Sequence, residues 1–327
     1  MNNTATRTQL DRKGILGFLA VAFGFTWLID LGLFISGQGI TGAWSLPLMA
    51  LSMFGPALAT FVVTHWISPI RNIRVATGLR LGAKGTRWGW YYLLATVGML
   101  IIILAGLFLA AAVGVYHMDL TNYSAYRALL DSVPGAGAAL AGTPLGVLVW
   151  AQILSLPVAC IINAPVIFGE EYGWRGYLLP ALLPLGQWPA LILQGLIWGF
   201  WHAPIILMGY NYPGHPFLGV IMMMIATTII GILIGWTRLA TGSVWPAVLA
   251  HALINGGAQI PLLLSQAGTP VDNLHVSMLG WSGMAVELVA IGILVLLRRL
   301  PVRHAPDLAE PAIPADAGVP NAHTAAA

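Results

Sequence analysis

Long apolar runs that are almost free of charge limit the fold of this chain more than any other feature. Charged residues make up only 8% of the 327 residues, and hydrophobic residues make up 58%. A soluble domain carries about 25% charged residues because its surface must be hydrated. So few charges cannot cover a water-exposed surface of this size. Since about 20 apolar residues suffice for a helix to cross a bilayer, the sequence predicts an integral membrane protein built from α-helices.

Hydropathy divides the chain into about eight predicted transmembrane helices, of which the fourth is long and broken. The first follows Arg7, Arg12 and Lys13 but continues past 20 apolar residues without a small-residue cleavage site, so we expect a retained anchor. The fold class is therefore all-α, a polytopic helical bundle. The predicted spans are residues 14–36, 44–67, 88–116, 145–184, 187–209, 217–237, 243–264 and 279–297.

The distribution of Lys and Arg predicts the orientation of the bundle. With the N-terminus inside, twelve of the 14 basic residues fall in cytoplasmic segments, Arg127 falls outside, and Arg175 lies within the fourth span. An excess of Lys and Arg marks cytoplasmic loops. The bias requires an even number of crossings and predicts that both termini are cytoplasmic. The twelve are Arg7, Arg12, Lys13, Arg71, Arg74, Arg80, Lys84, Arg87, Arg238, Arg298, Arg299 and Arg303.

The chain divides into four predicted regions. The external loop at 117–143 includes a stretch, 123–130, that could form a short interfacial helix, and the tail is rich in Ala and Pro, as disordered segments are. The regions are 1–144, the N-terminal helices with a basic cytoplasmic loop and the external loop; 145–265, a helical core; 266–300, the last span; and 301–327, a disordered cytoplasmic tail.

Two pairs of glycines predict close helix packing. Gly195 and Gly199 are four residues apart, as are Gly231 and Gly235. Small residues at this spacing let two membrane helices approach at backbone distance. Each pair therefore predicts a helix face suited to close packing against another helix.

Ionisable side chains inside the spans need a physical reason, because one at mid-helix costs about 2.5–3.5 kcal/mol on insertion scales. Five of the eight such residues fall between positions 170 and 251. This concentration predicts a polar site in the core region. The eight are Asp30, His65, Glu170, Glu171, Arg175, His202, His251 and Glu287.

The first cluster contains two adjacent carboxylates and a cation. Glu171 and Arg175 are four residues apart, so on a helix they can pair on one face and neutralise each other. Glu170 points about 100° away and has no equivalent local partner. A carboxylate without a cation in an apolar site suits a general base. A Glu–Arg pair that only locks helices together is the alternative.

Two histidines in later spans are predicted to reach the same depth as Glu170. Glu170 precedes the turn at Gly186 by 16 residues, and His202 follows it by 16. The seventh span enters from the same side, and His251 and Asn255 project from one of its faces at a comparable level. We expect these side chains to share one cavity, open to the cytoplasmic half of the bilayer.

These patterns resemble the signatures of the CAAX prenyl protease and bacteriocin-processing family, also called Abi or CPBP, which are E-E-x-x-x-R, F-x-x-x-H and H-x-x-x-N/D. The resemblance covers residues 145–265. One departure is Trp198, where the family usually has Phe, and from it we expect altered packing rather than lost chemistry. The matching residues, in the family's order, are Glu170, Glu171, Arg175, Trp198, His202, His251 and Asn255.

The resemblance implies an intramembrane endopeptidase that cleaves a peptide or membrane-associated protein with an activated water. Glu170 would be the base, and His202 would hold or polarise the water. His251 and Asn255 would stabilise the oxyanion that forms on the scissile carbonyl.

Within the same resemblance, Glu171 and Arg175 would support the site structurally. A metal-free site is favoured, since no H-E-x-x-H occurs. Zinc is the open alternative, and its ligands would be Glu170, His202 and His251.

Two other functions remain open. The same buried polar residues could serve an ion- or proton-coupled transporter, or an inactive membrane scaffold that binds a partner helix. Asp30 and Glu287 belong to no signature; they could line an entry path, although a packing role is favoured. The expected partners are the lipid bilayer and a peptide or membrane-protein substrate of unspecified identity, not nucleic acid. A bacterial plasma membrane is the expected location.

Overall fold

The computed structural model describes residues 9–136, 140 and 142–303. Within these residues the protein is an all-α bundle, and the one extended contact is an isolated bridge between Met118 and Ser265. The predicted all-α membrane fold is confirmed. Most of the predicted tail, 304–327, lies outside the described residues.

The described helices follow the predicted spans closely. Five of them are long and apolar enough to cross a membrane: Arg12–Ile35, Ser45–Ile67, Trp88–Ala112, Leu145–Leu185 and Pro216–Thr241. Shorter helices occupy the predicted fifth, seventh and eighth spans, so the count of eight crossings stays a prediction. In chain order, apart from the short turns Gly39–Thr41 and Ile73–Ala76, the helices are α1 (Arg12–Ile35), α2 (Ser45–Ile67), α3 (Trp88–Ala112), α4 (Ser124–Ser132), α5 (Leu145–Leu185), α6 (Gln187–Trp201), α7 (Ala203–Leu207), α8 (Pro216–Thr241), α9 (Trp245–Gly257), α10 (Ile260–Leu263) and α11 (Trp281–Leu296).

Two breaks in these helices fall where the sequence places proline. Pro204 lies in the first turn of α7, and Pro261 lies in the first turn of α10. Proline lacks the backbone N–H that a continuing helix needs and clashes with the preceding turn. The first break places His202 at the junction of α6 and α7, where the helix no longer covers its ring.

Close packing of α6 on α8 depends on Gly195 and Gly199, as predicted. A Cβ atom at Gly195 would overlap the Cα of Thr228, and one at Gly199 would overlap the Cα of Met224. The hydroxyl of Thr227 donates to the carbonyl of Gly195 at 3.0 Å. The two backbones are therefore in direct contact, and this contact sets the position of α6.

Gly199→Ala should destabilise the protein, because the added methyl meets backbone atoms that cannot move aside, and overpacking costs about 1–3 kcal/mol. Gly24→Ala is the matched control, since no atom lies within 4 Å of its Cβ position, and the change only improves helix propensity. Thermal unfolding in detergent should show a lower midpoint for Gly199→Ala alone. Equal midpoints would contradict the packing described here.

Arg238, which the sequence placed just beyond the sixth span, lies inside the helix instead. Arg238 lies in the last turn of α8 and is fully buried. Its Nε donates to the carbonyl of Arg175 at 3.1 Å, and its Nη2 donates to that of Ala76 at 2.8 Å. Sequence position suggested an exposed end of a helix, but the two carbonyls come from distant parts of the chain. Arg238 therefore joins the basic loop to the helix that carries the predicted site.

Candidate active site

The site begins where α5 changes its helical geometry. Directly after Glu171, residues Tyr172–Leu178 form a π-helical segment, a feature that often marks functional sites. Arg175 lies within this segment, and its Nη1 is 2.7 Å from Oε1 of Glu171. Both side chains are completely buried. The predicted ion pair is confirmed.

Glu171 has a second contact that the sequence did not reveal. Nδ1 of His251, on α9, is 2.9 Å from the same Oε1 atom. Because a carboxylate accepts, Nδ1 is the donating nitrogen, and Nε2 is the ring atom left for other contacts. Glu171 is thus more than a partner for Arg175, since it also orients the imidazole of His251.

Glu170 is held by Trp198, a contact that the sequence analysis did not predict. The indole Nε1–H of Trp198 donates to Oε2 of Glu170 at 2.8 Å. The guanidinium of Arg175 lies 4.2 Å from the centre of the same indole ring, a cation–π contact. Glu170 therefore has a partner, and Trp198 contributes a hydrogen bond that Phe could not make. Helical spacing missed both facts because the contacting residues are 28 positions apart.

The ring of His202 is oriented by the backbone of its own helix. Nδ1 of His202 is 2.8 Å from the carbonyl oxygen of Trp198, which can only accept. Nδ1 is therefore protonated, and in a neutral ring Nε2 is an acceptor. The Trp198 ring lies between the two histidines, with centroid distances of 6.0 Å to His202 and 5.1 Å to His251.

All four predicted catalytic residues line one cavity of about 230 Å³. They are Glu170, His202, His251 and Asn255. Glu170 and His251 are buried, His202 is half-buried and Asn255 is exposed on the wall. The structure therefore brings the four together from α5, the α6–α7 junction and α9. Asp30 lines the same cavity, a position that its isolated occurrence on α1 did not predict.

The cavity is lined by loops at the end of the bundle away from the basic loops, so on the predicted topology it opens to the outside rather than to the expected cytoplasmic half of the bilayer. Tyr210 and Asn211 of the α7–α8 loop line it, as do Asn273 and Ser277 of the α10–α11 loop. On the predicted topology both loops are external. The depth of Glu170 and His202 agrees with this opening. The 16 residues between each of them and the turn at Gly186 span about 24 Å of helix, which reaches past the middle of a hydrocarbon core about 30 Å thick.

Cysteine labelling tests the side from which the cavity is reached. In a Cys160→Ala background, Tyr210→Cys should react with a membrane-impermeant maleimide on intact cells. Leu81→Cys, in the basic loop, should react only after permeabilisation. The two side chains are 38% and 59% exposed, so neither is protected by burial alone. The reverse pattern would place the cavity on the cytoplasmic side.

The proposed zinc ligands do not form a compact metal-binding group. Among the described residues, no three His, Cys, Asp or Glu side chains are grouped so as to hold a metal ion. No step of the reaction described below is therefore assigned to zinc.

Comparison with known proteins supports the resemblance. Residues 149–257 match the family model described as Type II CAAX prenyl endopeptidase Rce1-like. This segment is therefore similar to the CAAX prenyl endopeptidases. A curated relative from Methanococcus maripaludis, CAAX prenyl protease 2, is 32% identical over 106 residues, which are 31% of this chain and 39% of the relative. The chain thus matches about two fifths of that relative's length.

The family segment contains the whole predicted site. It begins within α5 and ends with α9, so it includes the pair Glu170–Glu171, His202, and the helix of His251 and Asn255. Asp30, on α1, lies outside it. The cavity is therefore built partly from family helices and partly from a region without a family match.

Proposed function

We propose that this protein is an intramembrane endopeptidase that hydrolyses a bond of a peptide or membrane-protein substrate with an activated water. The supporting observation is the convergence of a buried carboxylate and two oriented imidazoles on one cavity inside a helical membrane bundle. The family match of residues 149–257 supports the same conclusion. Neither the transporter nor the inactive scaffold has an observation that favours it over hydrolysis.

In the proposed reaction Glu170 is the general base. Trp198 holds Oε2, so Oε1 is the oxygen left to accept a proton from water. Nε2 of His202 accepts the second hydrogen of the same water and fixes its position. The water oxygen attacks the scissile carbonyl carbon while its proton moves to Glu170, and the proton then passes to the leaving amine.

The charge that develops on the carbonyl oxygen needs donors. Asn255 offers its side-chain amide, and a protonated His251 offers Nε2–H, because Glu171 already accepts from Nδ1. In a soluble protease one such donor contributes about 2.7–4 kcal/mol to transition-state stabilisation. Arg175 balances the charge of Glu171 behind the site.

Glu170→Gln should abolish cleavage while the protein folds normally, because glutamine can accept from Trp198 but cannot take the proton. Loss of a general base lowers rates by about 10²–10⁴-fold.

Arg175→Ala should instead lower the yield of folded protein, because removing one member of a buried ion pair costs about 3–5 kcal/mol. Both variants are purified in detergent. Mass spectrometry of a digested peptide library measures cleavage, and size-exclusion chromatography measures the yield of folded protein.

The same assay includes two controls. A chelator should leave wild-type cleavage unchanged, whereas loss of activity with recovery on added zinc would replace the metal-free mechanism. Wild-type cleavage by Glu170→Gln would remove Glu170 from the role of base.

Trp198→Phe should lower kcat by about 10- to 100-fold with little change in KM. The phenyl ring keeps the contact with Arg175, but the hydrogen bond to Glu170 is lost, and hydrogen bonds to charged groups contribute about 1.5–3 kcal/mol. Trp174→Phe is the matched control, because the indole N–H of the buried Trp174 has no hydrogen-bond partner among the described residues and Trp174 does not line the cavity. Equal kcat values for the two variants would show that Trp198 does not position the base.

A further inference from the structure

Asp30 is a buried carboxyl that the proposed hydrolysis does not use. It lies on α1, and only 2% of it is exposed. Neither of its carboxyl oxygens has a hydrogen-bond partner within the described chain. A buried polar group without a partner is costly. Asp30 lines the cavity, so a donor that enters the cavity would be a partner for a carboxyl that has none within the described chain.

Two hydrogen bonds made by the preceding turn of α1 fix the position of Asp30. One turn earlier, the hydroxyl of Thr26 donates to the carbonyl of Ser52 at 2.9 Å. The indole of Trp27 donates to the carbonyl of Trp201 at 3.0 Å, directly before His202. Asp30 is therefore held on the wall of the cavity, near the end of α6 that carries His202.

The composition of the wall indicates the charge of the group that would bind. No Lys or Arg is among the described residues that line the cavity, whereas two carboxyl groups, Asp30 and Glu170, are. Arg175 lies behind the wall and is paired with Glu171. A cation is the strongest partner for a carboxylate in a site of low polarity.

The rest of the wall is largely apolar. Met49, Met53, Met223 and Met278 all line the cavity. Methionine side chains are flexible and fit irregular apolar surfaces. The cavity thus combines an adaptable apolar lining with one unpaired carboxyl, a combination suited to an apolar peptide segment with a single positive charge.

We propose that Asp30 forms a specificity subsite for a basic side chain of the substrate, Lys or Arg, an inference that rests on the proposed peptidase function. A cavity of about 230 Å³ admits only a short stretch of peptide. At about 3.3–3.6 Å per extended residue, the basic residue should lie within about three residues of the scissile bond.

Binding to a cleavage-deficient protein tests the subsite separately from catalysis. Matched apolar peptides that carry either Lys or norleucine, scanned across successive positions, are titrated against Glu170→Gln protein in detergent. In at least one register the Lys peptide should bind about tenfold or more tightly. Adding Asp30→Asn should remove that preference, whereas adding Glu287→Gln should keep it. Glu287 is an equally buried carboxyl without a partner among the described residues, but it does not line the cavity.

The outcomes separate the two proposals. A Lys preference that Asp30→Asn does not reduce, or no preference in any register, overturns the subsite. If the Lys preference depends on Asp30 but wild-type protein cleaves none of the same peptides, the peptidase proposal is overturned. A cation-binding site then remains. Thermal unfolding of Asp30→Asn should be unimpaired, because the substitution removes a buried carboxyl that has no partner to lose.

Discussion

One buried carboxylate, Glu171, organises the site. Its Oε1 atom receives both the guanidinium of Arg175 and Nδ1 of His251. Arg175 stacks on the indole of Trp198, which in turn holds Glu170. Because Glu171 and Arg175 are completely buried, their charges must be balanced inside the protein. The position of the predicted base therefore depends, through two intermediate side chains, on the charge of Glu171.

The fold and the membership of the site could be predicted from the sequence because both depend on local or periodic signals. Apolar runs separated by basic loops located the helices, and the cost of ionisable residues in lipid directed attention to Glu170, His202 and His251. Equal residue counts from a shared turn placed Glu170 and His202 at the same depth, and both line the cavity. The roles of these residues in hydrolysis remain proposals.

The remaining features depend on contacts between distant segments, which no local pattern contains. Trp198 was assigned a packing role, yet it donates to Glu170 on another helix. Arg238 was assigned to a loop, yet it is buried against the carbonyls of Arg175 and Ala76. Both contacts involve partners that only tertiary packing brings together.

The hydrogen bond from Trp27 to the carbonyl of Trp201 has a mechanical consequence. It joins α1 to the last residue of α6, where the helix breaks before Pro204. Any molecule that displaces α1 would therefore also pull on the helix end next to His202. A ligand seated against Asp30 would contact the helix that is hydrogen-bonded to the backbone directly before His202. Occupation of the cavity and the orientation of the His202 ring would then be mechanically linked.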